Sequence, residues 1–579
     1  MHSTFSPTIG VDDSDSIATK VNDADSEIPA TAEVIYSDTI PATEVDCSDS
    51  NPTEVTVGLN SLPDEVLCEI LHQVLAINES NRDNVTELQG LRQVSKKWDR
   101  TIMLNPRLWA SIRRDYTASS SKAEEFLNYK ATMDLTHYAK LSGALPLDLW
   151  LKLPQCMDRL DLERSIVNRA RYLKLDLSVS AACNLSIPAS TSNLRGGPSD
   201  TENMGWPLLE NLDLVIRAHP ERGPIFEILY EGPGMVAGRS LMPRLTELSI
   251  DTPTFPRDLN GTNIFAAGFP LSQLTCLNLA AFSDQDFSAS IVMANACRDN
   301  LETLTLNFSR QKEPELGMDE SAELDRILGD GPGIAFPKLK VLGLCVWHNE
   351  YFMSESDDRG GLDLDLSRVF ILPFLEDLTI AYREYSKGRL GRTEGQQGKM
   401  KVSTLLSLVS HCGDKLRKLR LSDIHFVGDS DNLGSDPYTH ILSHDAFKKL
   451  EVLSLYNDFL PFFGFPAKKL EDCTFLQNLR CLELAAGWHA LGREQNRAAS
   501  YEGLMRFYKG RTVHPNIEYF RHGRDCQLKS ACGCATLEKC AFNEGSVYYD
   551  GQWERWGDST DMGRLWDLWD ARFQLAAVV

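Results

Sequence analysis

Several common functional classes are closed to this chain by what it lacks. No apolar run approaches the length of a membrane span, and no charged-then-apolar leader opens the sequence. His-Glu-x-x-His and Gly-x-Ser-x-Gly are both missing, which removes a zinc protease and a hydrolase elbow. Gly329-Asp-Gly331-Pro-Gly333 stops short of the last glycine of a dinucleotide loop, and Gly398-Lys399-Met400 has neither the upstream glycine nor the hydroxyl of a phosphate loop, so both read as surface turns. Positive charge is scarce. Against 82 Asp and Glu stand 59 Lys and Arg, a net charge of −23 that repels phosphate backbones, so no nucleic acid is expected as a partner, and without a span no membrane either. The 14 cysteines are scattered rather than packed into a disulfide framework, which points to reduced thiols in the cytoplasm or nucleus. There the sequons Asn78-Glu-Ser80 and Asn84-Val-Thr86 have no glycan chemistry to report.

The acidity is unevenly spread. Residues 1–58 hold twelve Asp or Glu against the single Lys20 and almost no aromatic side chains, the composition of a disordered, solvating tail. Ser14, Ser16 and Ser48 among those acids are candidate phosphorylation sites.

Residues 59–112 read as three short helices. Ser61 and Asp64 form a capping box with Pro63 in the first turn, and Val66, Leu67, Ile70, Leu71 and Val74 recur at helical spacing. A second stripe carries Leu88, Leu91, Val94, Trp98 and Ile102, with Arg92, Lys96, Lys97 and Arg100 on its wet side; Asn105-Pro106 starts a third helix with Leu108, Trp109 and Ile112. So small a domain buries too little of its own chain to stand alone, so a partner surface is the natural remedy. Leu62-Pro63-x-Glu65-Val66-x-x-x-Ile70-Leu71, Val94-Ser95-x-x-Trp98 and Asn105-Pro106-x-Leu108-Trp109 together resemble an F-box, with a longer linker after the first helix than that family usually has. The resemblance implies that Leu62, Pro63, Val66, Ile70, Leu71, Leu91, Val94, Trp98, Leu108 and Trp109 form or support a surface for a Skp-family adaptor and, through it, a cullin complex.

From 113 to 525 the pattern changes. A capped helix with Phe126, Met133, Tyr138 and Leu141 ends at Gly143, and Leu145, Leu147, Leu149, Leu151 and Leu153 then alternate as one face of a strand. A short helical stretch leads to Leu173, Leu175 and Leu177. Leu-x-x-Leu-x-Leu or a close variant follows nine times, starting at Leu209, Leu245, Leu274, Leu301, Leu339, Leu375, Leu416, Leu450 and Leu479, at a mean spacing of about 34 residues. Pro207, Pro243, Pro337 and Pro373 each stand two residues before a triplet, expected to end the preceding helix. Cys297 and Cys412 stand four before theirs, as small apolar filler. The segment Ser403 to Gly413 reads as a helix feeding one of the strands. The nine copies resemble degenerate leucine-rich repeats with uneven gaps. The expected fold is therefore α/β, a three-helix F-box followed by an irregular horseshoe solenoid.

If the leucines of each strand point inward, the residues between them point to the open face: Asp213, Ser249, Asn278, Thr305, Gly343, Thr379, Arg420, Ser454 and Glu483, candidates for binding a protein substrate. The basic, glycine-rich segment 383–401 reads as a solvated loop. Cys526, Cys532, Cys534 and Cys540 lie close together, but their spacing does not give paired zinc knuckles, so neither a metal nor another cofactor is expected. Trp553, Trp556, Trp566 and Trp569 in the 526–579 segment suit a terminal cap on the repeats. Together these readings imply a non-enzymatic substrate-recognition subunit of a Skp-cullin-F-box ubiquitin ligase. The alternatives are a repeat scaffold outside any ligase and, further down, a metal-assisted enzyme on the four cysteines.

Overall fold

The computed structural model describes residues 61–77, 83–117, 124–153, 162–177, 206–216, 242–252, 269–281, 285–310, 328–329, 333–349, 366–385, 398–422, 424–427, 437–457, 475–486 and 519–522. The acidic tail, the four clustered cysteines and the Trp-rich end lie outside these residues. The architecture is mixed α/β. Among the described residues thirteen parallel strands make one open sheet, ordered across it as they come in the chain: Ser111–Asp115, Leu147–Lys152, Ala170–Leu177, Asn211–Ile216, Glu247–Thr252, Cys276–Ala281, Thr303–Arg310, Val341–Asn349, Asp377–Tyr385, Lys418–Ser422, Val452–Asn457, Cys481–Ala486 and Tyr519–His522. The sheet does not close into a barrel.

The leucine triplets explain the register. Every one of the nine begins two residues before a strand, so its second and third apolar residues point to the same face. Pairing stacks Leu212, Leu248, Leu277, Leu304, Leu342, Leu378, Leu419 and Leu453 into one ladder, and Leu214, Ile250, Leu279, Leu306, Leu344, Ile380, Leu421 and Leu455 into the next. All sixteen are buried. The strands from Glu247–Thr252 to Val452–Asn457 each start level with the one before because the carbonyl of the residue just before that earlier strand, from Glu210 to Arg417, accepts two of their N–H groups. Glu302 O takes Lys340 N at 2.9 Å and Val341 N at 3.0 Å, and Lys340 O takes Glu376 N at 2.8 Å and Asp377 N at 2.9 Å.

The prolines act differently from expectation. At Pro337 and Pro373 the chain arrives from the two-residue strands Ile334–Ala335 and Phe370–Ile371, so no helix is ended there. Each proline instead follows a large buried residue, Trp206, Met242, Phe336 or Leu372, whose carbonyl accepts the N–H of the first triplet leucine at 3.2 to 3.5 Å. Proline's fixed φ suits the second position of such a turn. Leu271, Phe447 and Leu476 anchor the same turn without proline. Cys297 and Cys412 are buried as expected, and burial pushes both thiols up to about 12. The helix Val402–Ser410 buries Val402, Leu405, Leu408 and Val409, and Gly413 just beyond it takes the left-handed φ of 59° that favours glycine.

Upstream of the sheet come α1 (Asp64–Ile77), α2 (Asn84–Arg92) and α3 (Lys96–Leu104). The second apolar stripe is two helices, because Ser95 turns the chain and caps α3 by accepting from Trp98 N at 3.2 Å. Asn105 and Pro106 do start a helical turn, but it is a four-residue 3-10 segment, Pro106–Trp109, and Ile112 already belongs to the first strand. A fourth helix, α4 (Glu124–Leu141), buries Ala131, Leu135, Tyr138 and Ala139, whereas Met133, expected inside, is exposed. Among the described residues no helix is long and apolar enough to cross a membrane.

Candidate functional site

The sequence offers two surfaces, the helical end and the open face of the sheet. At the helical end the structure sorts the ten candidate residues into three sets. Leu71, Trp98, Leu108 and Trp109 are buried, and the Trp109 indole donates to Ile102 O at 2.9 Å, so these four hold the helices together. Pro63, Val66 and Val94 are exposed, and Leu62, Ile70 and Leu91 are half-buried. Val66 keeps 44% of its surface in water and Val94 59%. Two neighbours in sequence add to the exposed set: Val74 on α1, and Leu104 at the last turn of α3, 70% exposed. Leu104 escaped the sequence reading because it lies off the buried stripe of its helix. The start of α1 is pinned by Lys97, whose Nζ donates to Leu62 O and lies 3.4 Å from Asp64 Oδ1, and Pro63 O accepts the first helical bond from Leu67 N at 3.0 Å.

The helical end is also tied to the sheet by polar groups that no local pattern announces. Asn84, in the second sequon, is buried; its Nδ2 donates to Ser111 O and its Oδ1 accepts from Arg113 N, both at 2.7 Å. Two of the edge strand's open main-chain groups are thereby occupied by a side chain, which hinders strand addition there. Beside it Arg114 stands in register with Leu151, where an inward leucine would continue the ladder. Its guanidinium reaches Asp83 at the start of α2 (2.9 Å) and Asp134 on α4 (3.2 Å), and lies over the rings of Tyr116 and Tyr138. Burial works against the Arg114 charge, but Asp83 and then Tyr116 outweigh it and hold the group above its ordinary value. Tyr138 in turn stacks on Trp109 at 5.4 Å between centroids and accepts from Gln89 Nε2 at 2.8 Å.

On the sheet, the residues between the leucines do fall in one row, paired neighbour to neighbour from Asp213 through Ser249, Asn278, Thr305, Gly343, Thr379, Arg420 and Ser454 to Glu483. The row is not uniformly open. Asp213, Ser249, Asn278, Thr305 and Gly343 are half-buried, but Thr379, Arg420 and Ser454 are 7%, 6% and 7% exposed. The two described charges are also occupied: Asp213 pairs with Lys174 at 2.8 Å, and Arg420 with Asp377 at 3.1 Å. Neither is a bare charge waiting for a partner. Glu483 lies at its expected place in the row, next to Ser454.

No protein-family model matches this sequence, and no curated protein matches it.

Proposed function

We propose that the chain is a substrate-recognition subunit of a Skp-cullin-F-box ubiquitin ligase. In this reading α1 to α3 and the following turn serve as an F-box that takes a Skp-family adaptor, and the sheet is the inner wall of an irregular leucine-rich-repeat horseshoe that holds a protein substrate. The chain catalyses nothing; it raises rate by holding substrate near the conjugating machinery. One observation carries the reading most. Val66, Val94 and Leu104 are large, branched and exposed on a small helical end, with Val74 and Pro63 exposed beside them in the chain, and exposed apolar groups of this kind are what a protein partner covers. Val66→Asp with Val94→Asp tests it: adaptor capture by the purified chain should be lost while its far-ultraviolet spectrum is unchanged. Undiminished capture would remove the ligase assignment.

The scaffold reading is favoured by a different observation. Asn84, Asp83 and Arg114 make the helices an end cap for the sheet, a need that exists with or without an adaptor. Co-purification separates the two. A wild-type chain that brings down no Skp-family adaptor is a scaffold.

A further inference from the structure

One place in the repeat is used in two ways. The residue directly before the first leucine of a triplet lies at the rim where the strands begin, and in some copies its side-chain amide holds the copy before it. Gln273 Nε2 donates to Met242 O and Leu245 O, both at 2.8 Å, Asn300 Nδ2 to Ser272 O at 2.8 Å, and Asn478 Nδ2 to Lys448 O at 2.9 Å. In the four copies between Asn300 and Asn478 the same place is taken by Lys338, Phe374, Lys415 and Lys449, and among the described residues none of these side chains holds a carbonyl of the copy before. A buried leucine follows each of them, yet the place itself faces outward: Lys338 and Lys415 are exposed, Phe374 is 51% exposed and Lys449 is half-buried.

The four come side by side, because Lys340 O, Glu376 O and Arg417 O each accept N–H groups from the next copy. At about 4.8 Å per strand they span about 14 Å, the length of about four extended residues. A single exposed apolar side chain is ordinary on a protein surface. Phe374 differs, because it occupies a place where an amide would add a hydrogen bond, and a lysine flanks it on either side. Lys338 donates to a neutral group, Asn300 Oδ1, at 2.7 Å, and among the described residues Lys415 makes no ion pair, its neighbour Asp414 being taken by Lys449. Two residues further on the charges cancel, Lys340 against Glu302 at 2.8 Å and Arg417 against Glu451 at 3.7 Å. In these four copies the place before the leucine carries three cations and no acid.

We propose that Lys338, Phe374, Lys415 and Lys449 form a docking strip for an acidic segment of a partner protein, with its carboxylates on the lysines and one large apolar side chain on the Phe374 ring. Charge selects the occupant. A cationic segment would set like charges against the strip, and nucleic acid would bring its phosphates to a chain of net charge −23. Exposed ion pairs are weak, so Lys449 can exchange Asp414 for an incoming carboxylate. The ring supplies the apolar anchor that exposed charges alone do not, in the way that aromatic residues carry much of the energy of protein interfaces. The strip lies at the rim, outside both surfaces of the reading above, and holds whether or not the chain serves a ligase.

The test uses the full chain and immobilised synthetic hexapeptides in three series, one of Asp and Glu around a central Leu, one with Ser in place of that Leu, and one with Lys in place of the acids, beside a single-stranded oligonucleotide of matched charge. The acidic series with Leu should be retained at least tenfold better than the basic series and the oligonucleotide, and at least threefold better than its Ser counterpart. Lys338→Gln with Lys415→Gln should lose at least fivefold of that retention. Lys96→Gln with Arg100→Gln, the same change of charge on the exposed side of α3, should leave it unchanged. Phe374→Asn should erase the preference for Leu over Ser while melting no lower than the wild type, because its amide can take the carbonyl of Pro337 as Asn478 takes that of Lys448. A ring needed only for the fold would melt lower on that change. No retention of the acidic series, a preference for the basic peptides or the oligonucleotide, or unchanged retention by the Lys338 and Lys415 double variant would overturn the proposal. So would an equal loss in the α3 control, or a Phe374→Asn chain that melts lower or keeps the preference for Leu.

Discussion

The helical end and the sheet are both rich in apolar residues, but they dispose of them differently. In the sheet the two leucine ladders are closed, each side chain lined up with its neighbours in register and buried in one continuous core. At the helical end the same chemistry is left half finished: Leu67, Leu71 and Trp109 are buried, while Val66, Val94 and Leu104 face water. Repetition accounts for the contrast. A strand in a stack always has the next copy to cover it, whereas three short helices have only one another and the sheet edge. The stability of the two regions should therefore respond to different substitutions, and binding should be concentrated where stability is not.

The largest effect is expected at the joint between them. Arg114→Ala leaves Asp83 and Asp134 without their cation in a mostly buried setting and should cost about 3 to 5 kcal/mol, read by urea unfolding. It should also separate the unfolding of helical end and sheet into two transitions; a single unshifted transition would mean that Arg114 does not join them. Next comes Leu342→Ala in the ladder, fully buried between Leu304 and Leu378, with an expected loss of about 2 to 5 kcal/mol. Asn84→Ala strands Ser111 O and Arg113 N at the sheet edge and should cost about 1 to 3 kcal/mol; light scattering would show whether the uncovered edge also promotes association.

Smaller effects sharpen the other side of the comparison. Val66→Asp with Val94→Asp should change stability by no more than about 0.5 kcal/mol, as surface substitutions do, even though adaptor capture is expected to vanish. A loss of several kcal/mol would show that these valines are structural and the contrast false. The smallest effect concerns the thiols. Burial raises Cys297 and Cys412 from 9.0 to about 12, so the folded state favours the protonated form; that contribution is whole below about pH 9 and is lost as pH climbs toward 12. At about pH 8 iodoacetamide should leave both unmodified until the protein unfolds, as peptide mapping would show.

Much of the sheet was legible beforehand because its signal is local and repeated. Each triplet states its own alternation, and nine copies at similar spacing imply stacking, as the paired ladders from Leu212 to Leu453 show. The turn that positions each triplet was only half read. Its prolines were visible, but the buried residue before them, Trp206, Met242, Phe336 or Leu372, changes identity from copy to copy and so leaves no repeated letter. The helical end was read in outline, with two helices merged into one and the last turn read too long, since the stripe from Leu88 to Ile102 keeps its period across the break that Ser95 makes. The residues between the leucines do line up in one row, but Thr379, Arg420 and Ser454 in it are buried rather than open, and its charges were misjudged. Asp213 and Arg420 look available in sequence, and only their neighbours across the sheet show them taken.

The sequence by itself determined the strands, the inward leucines, the row between them and the amphipathic start of the helical end, because each follows from the spacing of residues within one segment. Tertiary structure decided what those residues meet. Lys174 reaches Asp213 because parallel pairing brings residues of successive copies side by side, and Arg420 reaches Asp377, 43 residues away, for the same reason. Asn84 became an edge cap rather than an exposed sequon, Arg114 replaced a leucine as a joint, and Leu104 was left in water. Spacing along a chain fixes which way a side chain points, but burial and pairing depend on what the fold sets opposite it, and that is a property of register rather than of any one segment.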